Sequence, residues 1–262
     1  MKTFLKEFWL FGLKQASACL FGALFLFLII GTAFYYPLET IHRYDFLFFG
    51  ALLIQAGLLI FKLETWKEAK VIFLFHLVGT AMEIFKTHPD IGSWSYPEAS
   101  IFHIGNVPLF TGFMYSAVGS YIARCWHIFA FKFSHYPNPK HLIAISVAIY
   151  INFFLHHFWY DVRWILFLLV ILLFHKTWIY FTMVKTPRKM PLLVGFLLVA
   201  FFIWIAENIG TLTQTWVYPD QTSRWDLVNW HKLGSWFLLM IISFVMVSWI
   251  HKPKLTDSPL EK

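Results

Sequence analysis

The chain has 262 residues, of which 59% are hydrophobic, 21% aromatic and only 13% charged. Soluble domains carry about a quarter charged residues, so this composition excludes a soluble globular protein and predicts an integral membrane protein in a lipid bilayer. The formal net charge of +7 does not indicate a nucleic acid partner, because basic residues in membrane proteins mainly mark cytoplasmic loops.

The first residues predict a helix that lies at the membrane surface. Residues 3–14 are amphipathic and precede a long apolar run. No small-residue cleavage site ends that run, so a secretory signal peptide is not expected. We predict an interfacial helix that leads into the first span. The two cysteines, Cys19 and Cys125, lack the C-x-x-C spacing of a metal or redox motif.

Eight apolar runs follow along the chain, long enough to cross about 30 Å of hydrocarbon as helices. They cover residues 16–36, 44–61, 71–87, 104–124, 141–158, 162–184, 190–211 and 228–250. Lipid offers no partners to backbone groups, and the alternation of barrel strands is absent, so helices are expected. The predicted fold class is all-α, a polytopic protein with about eight transmembrane helices in a single membrane domain, residues 1–262.

Basic residues are concentrated in alternate loops, which predicts the orientation. One set of loops and termini carries Lys2, Lys6, Lys14, Lys62, Lys67, Lys70, Arg124, Lys132, Lys140, Lys185, Arg188, Lys189, Lys252, Lys254 and Lys262. The loops between them carry Arg43, Arg163 and Arg224, with Lys86 at a helix edge. Positively charged loops stay inside the cell, so both termini are predicted to be cytoplasmic and the loop after residue 87 to face outwards.

A short aromatic motif, W-x-Y-P, occurs twice, in WSYPE at residues 94–98 and in WVYPD at residues 216–220. An acid precedes each copy inside an apolar run, Glu83 and Glu207. A chance second match is not expected at this composition, so we predict two four-helix repeats, about 16–124 and 141–250. An even helix number makes the repeats parallel and brings the acids together. Alternatively, the aromatic residues only anchor the loops at the interface.

The two acids are the strongest candidates for chemistry. Burying a carboxylate in a membrane costs up to about 3 kcal/mol on the mildest scale, so some interaction must offset the cost. One alternative is a structural ion pair, Glu83 with Lys86 or Glu207 with Arg163 or Arg43. The other is that the two carboxyl groups face each other, which favours keeping one protonated and able to donate its proton.

Further polar and aromatic residues gather near the predicted outer ends of the helices. As catalytic residues that support the acids we predict His76 and His157. The residues predicted to bind substrate are Trp94, Tyr96, Trp216, Tyr218, His88, Asp161 and Asn208. For His76, the alternative is a core histidine bonded to a backbone carbonyl.

The segment NFFLHHFWYD raises the question of a metal. His156, His157 and Asp161 offer imidazole and carboxylate ligands at one helix end. Membrane di-iron enzymes need several histidine-rich boxes, whereas this chain has one adjacent pair, so paired interfacial hydrogen-bonding histidines are favoured over a metal site. Nucleotide-binding signatures such as G-x-G-x-x-G are absent from the sequence. We therefore predict no cofactor.

Three segments carry a family resemblance: GTAMEIFKTHPDIGSWSYPE, HHFWYDVRW and AENIGTLTQTWVYPD. They resemble the YoaT-like family of bacterial integral membrane proteins, which implies the bacterial plasma membrane and no assigned activity. The acid followed by IGSWSYP and IGNVPLF also resembles, more distantly, membrane carotenoid cyclases and hydratases. That resemblance implies protonation of a polyene. Cyclases have paired acids after the proline, where this chain has Leu109 and Phe110.

Three hypotheses for function follow. The first is a non-redox membrane enzyme that protonates, hydrates or isomerises an apolar isoprenoid or lipid. The second is a transporter or binding protein for a small solute, which needs a polar route to the cytoplasmic side; the inner halves offer little beyond Gln55, His175 and Lys176. The third is a purely structural or partner-binding membrane protein. The sequence does not define the oligomeric state.

Overall fold

The computed structural model describes residues 2–183 and 187–256, with side chains from residue 5 onwards. Three positions used in the predictions lie outside the described residues. They are Val184, at the end of a predicted span, and Lys185 and Lys262, which were assigned to the cytoplasmic side. The side chain of Lys2 is also outside them.

Most of the described residues are helical. The helices are α1 (Lys2–Ala18), α2 (Leu20–Phe34), α3 (Arg43–Ile60), α4 (Trp66–Lys86), α5 (Thr111–Ile128), α6 (Pro139–Leu155), α7 (Arg163–Phe174), α8 (Leu192–Leu212) and α9 (His231–Ser248). Local sequence sets several of their starts. Thr65 and Glu68 form a reciprocal capping box at the start of α4, which satisfies two backbone donors.

Three helices in the described part of the chain are long and apolar enough to cross a membrane, namely α3, α8 and α9. The bent pair α1 and α2 makes a fourth if it forms one span, while α6 and α7 are apolar but shorter. This composition is compatible with a membrane protein. Each of the eight predicted runs contains helix, whereas eight complete spans stay a prediction.

The all-α prediction omits two small sheets. The first is a hairpin of β1 (His103–Ile104) and β2 (Val107–Pro108). Gly105 in its turn has φ +58°, a conformation that glycine adopts without a steric penalty. The predicted span over 104–124 is therefore wrong at its start, because the hairpin occupies its first residues and the helix begins at Thr111.

The second sheet has the strand order β5-β4-β3-β6. Its strands are β3 (Lys132–Ser134), β4 (Trp178–Thr182), β5 (Pro187–Pro191) and β6 (Lys254–Leu255). β4 pairs antiparallel with β3 and with β5, and β3 pairs parallel with β6. The predicted span over 162–184 is wrong in its second half, because the segment WIYFT is rich in aromatic and β-branched residues and forms β4.

The chain divides into two compact units. The first unit contains Met1–Cys19, Tyr121–Phe201 and Gly234–Lys262, and the second unit contains Leu20–Ser120 and Phe202–Leu233. In the first unit, Trp126 contacts the rings of Phe133 and Phe244. The core of the second unit includes the fully buried Phe21, Tyr44, Leu47 and Phe110. Each unit contains parts of both predicted repeats, which stay a prediction.

Candidate functional site

The two W-x-Y-P segments lie side by side in the second unit. Ser95 and Val217, the variable residues of the two motifs, form an antiparallel bridge. The Ser95 N–H donates to the Val217 carbonyl at 2.9 Å, and the Val217 N–H donates back at 3.0 Å. Antiparallel pairing places Trp94 beside Tyr218, and their rings meet edge-to-face with centroids 6.2 Å apart. The bridge thus joins the two motifs directly.

Glu83 lies near the end of α4 and is only 2% exposed. One carboxylate oxygen, Oε2, accepts hydrogen bonds from the Trp94 indole N–H and the Tyr96 hydroxyl, both at 2.7 Å. The other, Oε1, accepts from the Tyr115 hydroxyl at 2.8 Å. A Cβ on Gly79 would lie 2.5 Å from the Tyr115 ring, so glycine is what allows this ring to reach Glu83. Both oxygens therefore have fixed donors.

Glu207 holds the corresponding place in α8. It is 5% exposed and accepts a hydrogen bond from the Tyr218 hydroxyl, as Glu83 does from Tyr96. The Ser95–Val217 bridge holds the segments that carry these two tyrosine donors side by side. Burial, followed by the adjacent carboxylate, raises the pKa of Tyr96 and of Tyr218 far above the usual value. Both phenols therefore stay protonated and act as donors to the acids.

A cationic side chain lies over the aromatic part of this site. The Lys232 ammonium group, in the first turn of α9, is 4.1 Å from the Tyr218 ring centroid and 5.4 Å from that of Trp94. Aromatic faces attract cations through the ring quadrupole. The site therefore combines two buried carboxyl groups with ring faces that hold an alkylammonium group.

The start of α3 connects the two loops that carry the motifs. Arg43 forms an ion pair with Glu98 at 2.6 Å and donates to the Thr215 hydroxyl at 2.7 Å. The Tyr44 hydroxyl donates to the Thr215 carbonyl at 2.9 Å. Since Glu98 follows one motif and Thr215 precedes the other, these two side chains fix the loops at the same helix end.

Asp45 extends this anchor to the rest of the long loop after α4. Its buried carboxylate accepts from the Ser100 hydroxyl at 2.6 Å and from the backbone N–H groups of Ile101 and Phe102 at 2.9 Å. The three consecutive residues Arg43, Tyr44 and Asp45 thus position the loop. This role was not predicted. The sequence did mark Arg43 as one of the few basic residues in the loops predicted to face outwards.

Three of the predicted substrate-binding residues contact groups other than Glu83 and Glu207 in the structure. Asn208 is buried, donates to the Trp204 carbonyl at 2.8 Å and accepts from the Val228 N–H at 2.9 Å. The Trp216 ring packs on Gly210, where a Cβ would lie 1.9 Å from it. His88 is exposed, 3.4 Å from Asp90. Asn208 therefore holds the loop after Glu207 in place.

His76 lies on α4, seven residues before Glu83, and is half-buried. Its ring lies 4.5 Å from that of Phe113. Within the described residues, its Nδ1 atom has no hydrogen-bond partner, and both the supporting catalytic role and the alternative of a core histidine stay predictions.

The histidine pair and Asp161 belong to the first unit. The rings of His156 and His157 are 4.1 Å apart, and His157 is exposed. Asp161 accepts from the Asn152 amide at 3.2 Å and is paired with Arg163. Although its partial burial opposes this, the hydrogen bonds and Arg163 lower the Asp161 pKa. No group of three or more metal-ligating side chains converges within the described residues.

Comparison with known proteins places this site within a family. The sequence profile of a family described as "Protein of unknown function (DUF817)" matches residues 7–244, which include every residue of the site. The chain belongs to the DUF817 family. It is 43% identical over 244 residues to the "Uncharacterized protein YoaT" of Bacillus subtilis (strain 168), covering 93% of this chain and 91% of that protein. No solved structure matches.

These findings confirm the predicted YoaT-like membership. The resemblance to carotenoid cyclases and hydratases is not among them and stays a prediction. The descriptions of DUF817 and of YoaT assign no activity, so the residues of the site are the basis for a proposed function.

Proposed function

We propose that this DUF817 protein is a multi-pass membrane transporter that exchanges a small organic cation for protons at Glu83 and Glu207. The observation that carries the proposal is a pair of buried carboxyl groups whose tyrosine donors, Tyr96 and Tyr218, belong to two directly bridged segments of one unit. Two carboxylates in this situation are costly to ionise together. Either a proton or a cation offsets the cost, so the two compete for one site, and this competition couples their movements.

The aromatic faces support a cation as the solute. Tyr218 and Trp94 already hold the Lys232 ammonium group, and ring faces recognise quaternary ammonium groups by the same interaction. We infer that the solute contacts these two rings after Lys232 moves aside. The proposed ligand class is therefore small amines and quaternary ammonium compounds.

The arrangement of the helices supports the repeat architecture that transporters often have. After α1, the chain provides four helices, α2 to α5, and four more, α6 to α9. The antiparallel Ser95–Val217 bridge has the local two-fold symmetry expected where two such repeats meet. Within this proposal, both termini lie in the cytoplasm and the protein resides in the bacterial plasma membrane.

Buried polar groups near the start of α4 remove one argument against transport. Glu64 and Glu68 are both buried there, at 4% and 3% exposure. In the sequence, the predicted inner halves of the helices offer little beyond Gln55, His175 and Lys176. A solute or proton route therefore has polar groups at both ends of α4.

An enzyme acting on an isoprenoid or lipid is the second candidate. It is favoured by the acids beside Trp94 and Tyr218, whose faces would stabilise a carbocation. It ranks second because both oxygens of Glu83 already accept hydrogen bonds, so an apolar substrate would have to displace a donor. A change in the lipid and isoprenoid profile of cells lacking the protein would favour this candidate.

The direct test is proton release on binding. Tetramethylammonium is titrated into detergent-solubilised protein in weak buffer, and heat and pH are recorded together. We expect binding to release protons. Where one proton is displaced, the affinity should fall about tenfold for each unit by which the pH is lowered. Glu83→Gln and Glu207→Gln should abolish proton release. Asp226→Asn, which removes an exposed carboxylate paired with Arg224, is the matched control.

Two results would overturn the proposal. One is proton release that is unchanged in both glutamine variants. The other is wild-type binding that does not depend on pH, a measurement that needs no variant to fold.

A further inference from the structure

Polar side chains line the contact between α4 and α5. On α4 they recur at intervals of three or four residues, and on α5 they form two pairs spaced by four residues, which places them along one side of each helix. On α4 they are His76, Thr80 and Glu83, and on α5 they are Thr111, Tyr115, Ser116 and Ser120. All of these residues belong to the second unit.

Glycines bring the two helices close together along this face. A Cβ on Gly112 would lie 2.3 Å from His76 Nδ1 and 2.6 Å from Thr80 Oγ1. These two polar atoms are consequently within about 5 Å of each other. Two turns further along α5, a Cβ on Gly119 would lie 2.8 Å from the Phe75 ring. The order of these contacts shows that α4 and α5 run antiparallel.

A buried carboxyl group lies at each end of the polar face. At one end Tyr115 donates to Glu83 at 2.8 Å. At the other end Ser120 donates to Glu64, and the Gln55 amide donates to the second oxygen of Glu64 at 2.7 Å. Glu64 directly precedes the capping residue of α4, so the two acids mark opposite ends of this helix.

The middle of the face contains polar atoms that the fold leaves unpaired. The Ser116 hydroxyl donates to the Ile72 carbonyl at 2.9 Å. Within the described residues, His76 Nδ1, Thr80 Oγ1 and Thr111 Oγ1 are buried without a hydrogen-bond partner. Buried polar groups without a hydrogen-bond partner destabilise a purely structural contact. Three of them on one face indicate a role beyond holding the helices together.

We infer that this face, Glu83–Tyr115–Thr80–His76–Ser116–Ser120–Glu64, conducts protons between the two ends of α4. The inference deepens the proposed function and rests on it for the role of Glu83. The proton leaves the Glu83 carboxyl group, and each hydroxyl or imidazole accepts one proton and passes one on. Glu64 receives the last, so Glu83 loses one proton, Glu64 gains one, and the groups between them keep their proton count. Chains of carboxyl and imidazole groups serve as proton relays in other membrane proteins.

The spacing of the groups suits a relay bridged by water. Neighbouring turns of a helix rise by about 5–6 Å, which separates Thr80 from His76 and Ser116 from Ser120. One bridging water spans such a distance with two hydrogen bonds. The unpaired atoms of Thr80 and His76 provide its binding partners.

The test measures proton entry into proteoliposomes that contain a trapped pH-sensitive dye. A potassium diffusion potential drives the protons, with and without external tetramethylammonium. We expect wild-type protein to acidify the lumen faster than protein-free vesicles. Thr80→Val, which removes a hydroxyl at constant shape, and His76→Leu should slow proton entry roughly tenfold. Thr80→Ser should retain the wild-type rate.

A buried threonine elsewhere in the same unit provides the control. Thr32 on α2 donates to the Leu28 carbonyl of its own helix at 2.8 Å, so Thr32→Val should leave proton entry unchanged. A Thr80→Val protein as fast as wild type, or wild-type vesicles no faster than protein-free ones in both conditions, would overturn the inference.

The two proposals fail in different ways. If the relay is absent but the binding proposal holds, tetramethylammonium still releases protons at equilibrium while Thr80→Val leaves proton entry unchanged. If the binding proposal fails, proton release is insensitive to Glu83→Gln and Glu207→Gln, whatever the rates in vesicles.

Discussion

The two W-x-Y-P segments share tryptophan, tyrosine and proline, but their tryptophans make different contacts. In the first segment Trp94 donates its indole N–H to Glu83 at 2.7 Å. In the second segment Trp216 packs its ring on Gly210. The tyrosines, in contrast, keep one role, since Tyr96 and Tyr218 each donate to the acid that precedes them.

A single position accounts for much of this difference. Three residues after Glu207 stands Gly210, whereas three residues after Glu83 stands the buried Lys86. Without a side chain, Gly210 leaves space on α8 for the Trp216 ring, and a lysine at the corresponding position on α4 does not. The comparison shows that the hydroxyl donor is the shared feature of the two segments, and that the indole can serve either as donor or as packing surface.

The largest expected effect comes from removing the acid of the first segment. Glu83→Ala leaves three buried donors, on Trp94, Tyr96 and Tyr115, without their acceptor, which should destabilise the protein by roughly 3–5 kcal/mol. Glu98→Ala in the same loop is the control, because this partly exposed ion pair contributes about 1 kcal/mol. Thermal unfolding in detergent measures both. Equal losses would show that Glu83 is not held as described.

The next effect tests whether the tyrosines are equivalent. Tyr96→Phe and Tyr218→Phe each remove one hydroxyl donor to a buried carboxyl group and should each cost about 2 kcal/mol. The two losses should agree, measured as the fall in unfolding midpoint. A loss of stability in only one variant would mean that the two segments are similar in sequence but that their tyrosines differ in structural role.

A smaller effect should follow from filling the space beside Trp216. In Gly210→Ala the new methyl group would meet the ring at 1.9 Å, and overpacking of this kind costs about 1–3 kcal/mol. Gly31→Ala on α2 meets nothing within 4 Å and should be neutral or stabilising by up to about 1 kcal/mol. If both alanine variants unfold at the same temperature, Trp216 does not depend on Gly210.

The smallest effect is expected at an exposed acid in the other unit. Asp161→Asn should lower stability at neutral pH by less than about 1 kcal/mol, because the Asp161 side chain is 41% exposed. Since the fold lowers the Asp161 pKa, its contribution exists above the usual pKa and is lost as the pH falls below about 4. The difference in melting temperature between variant and wild type should therefore be smaller at pH 3 than at pH 7.

Sequence reasoning located the acids and the aromatic motif because both recur at nearly constant spacing. Glu83 and Glu207 stand out as charges within apolar runs, and such a pattern is local. The helical segments were also predictable, since each predicted run contains one of the helices α2 to α9. The bounds of the helices were less predictable. The apolar run extends before the start of α5 at Thr111 into a hairpin, and beyond the end of α7 at Phe174 into a strand.

The missed features depend on partners distant in the sequence. Tyr115 reaches Glu83 only because Gly79 lets its ring lie on α4, and Lys232 lies over Tyr218 from another helix. The pairing of Lys132 with Lys254 in the sheet joins segments that carry no alternating pattern. Arg43 was considered as a partner of Glu207, but its ion pair is with Glu98. The position of Glu98 depends on the conformation of the long loop after α4, which the sequence does not reveal.

The Ser95–Val217 bridge has a consequence for how the protein is made. Its two hydrogen bonds join positions 122 residues apart in the chain, and Tyr44 reaches 171 residues forward to Thr215. Contacts of such high sequence separation close late in folding. A ribosome has to synthesise the 122 residues that separate the two positions before the second motif can join the first. The acid pair is therefore assembled only after α8 and the loop that follows it have emerged.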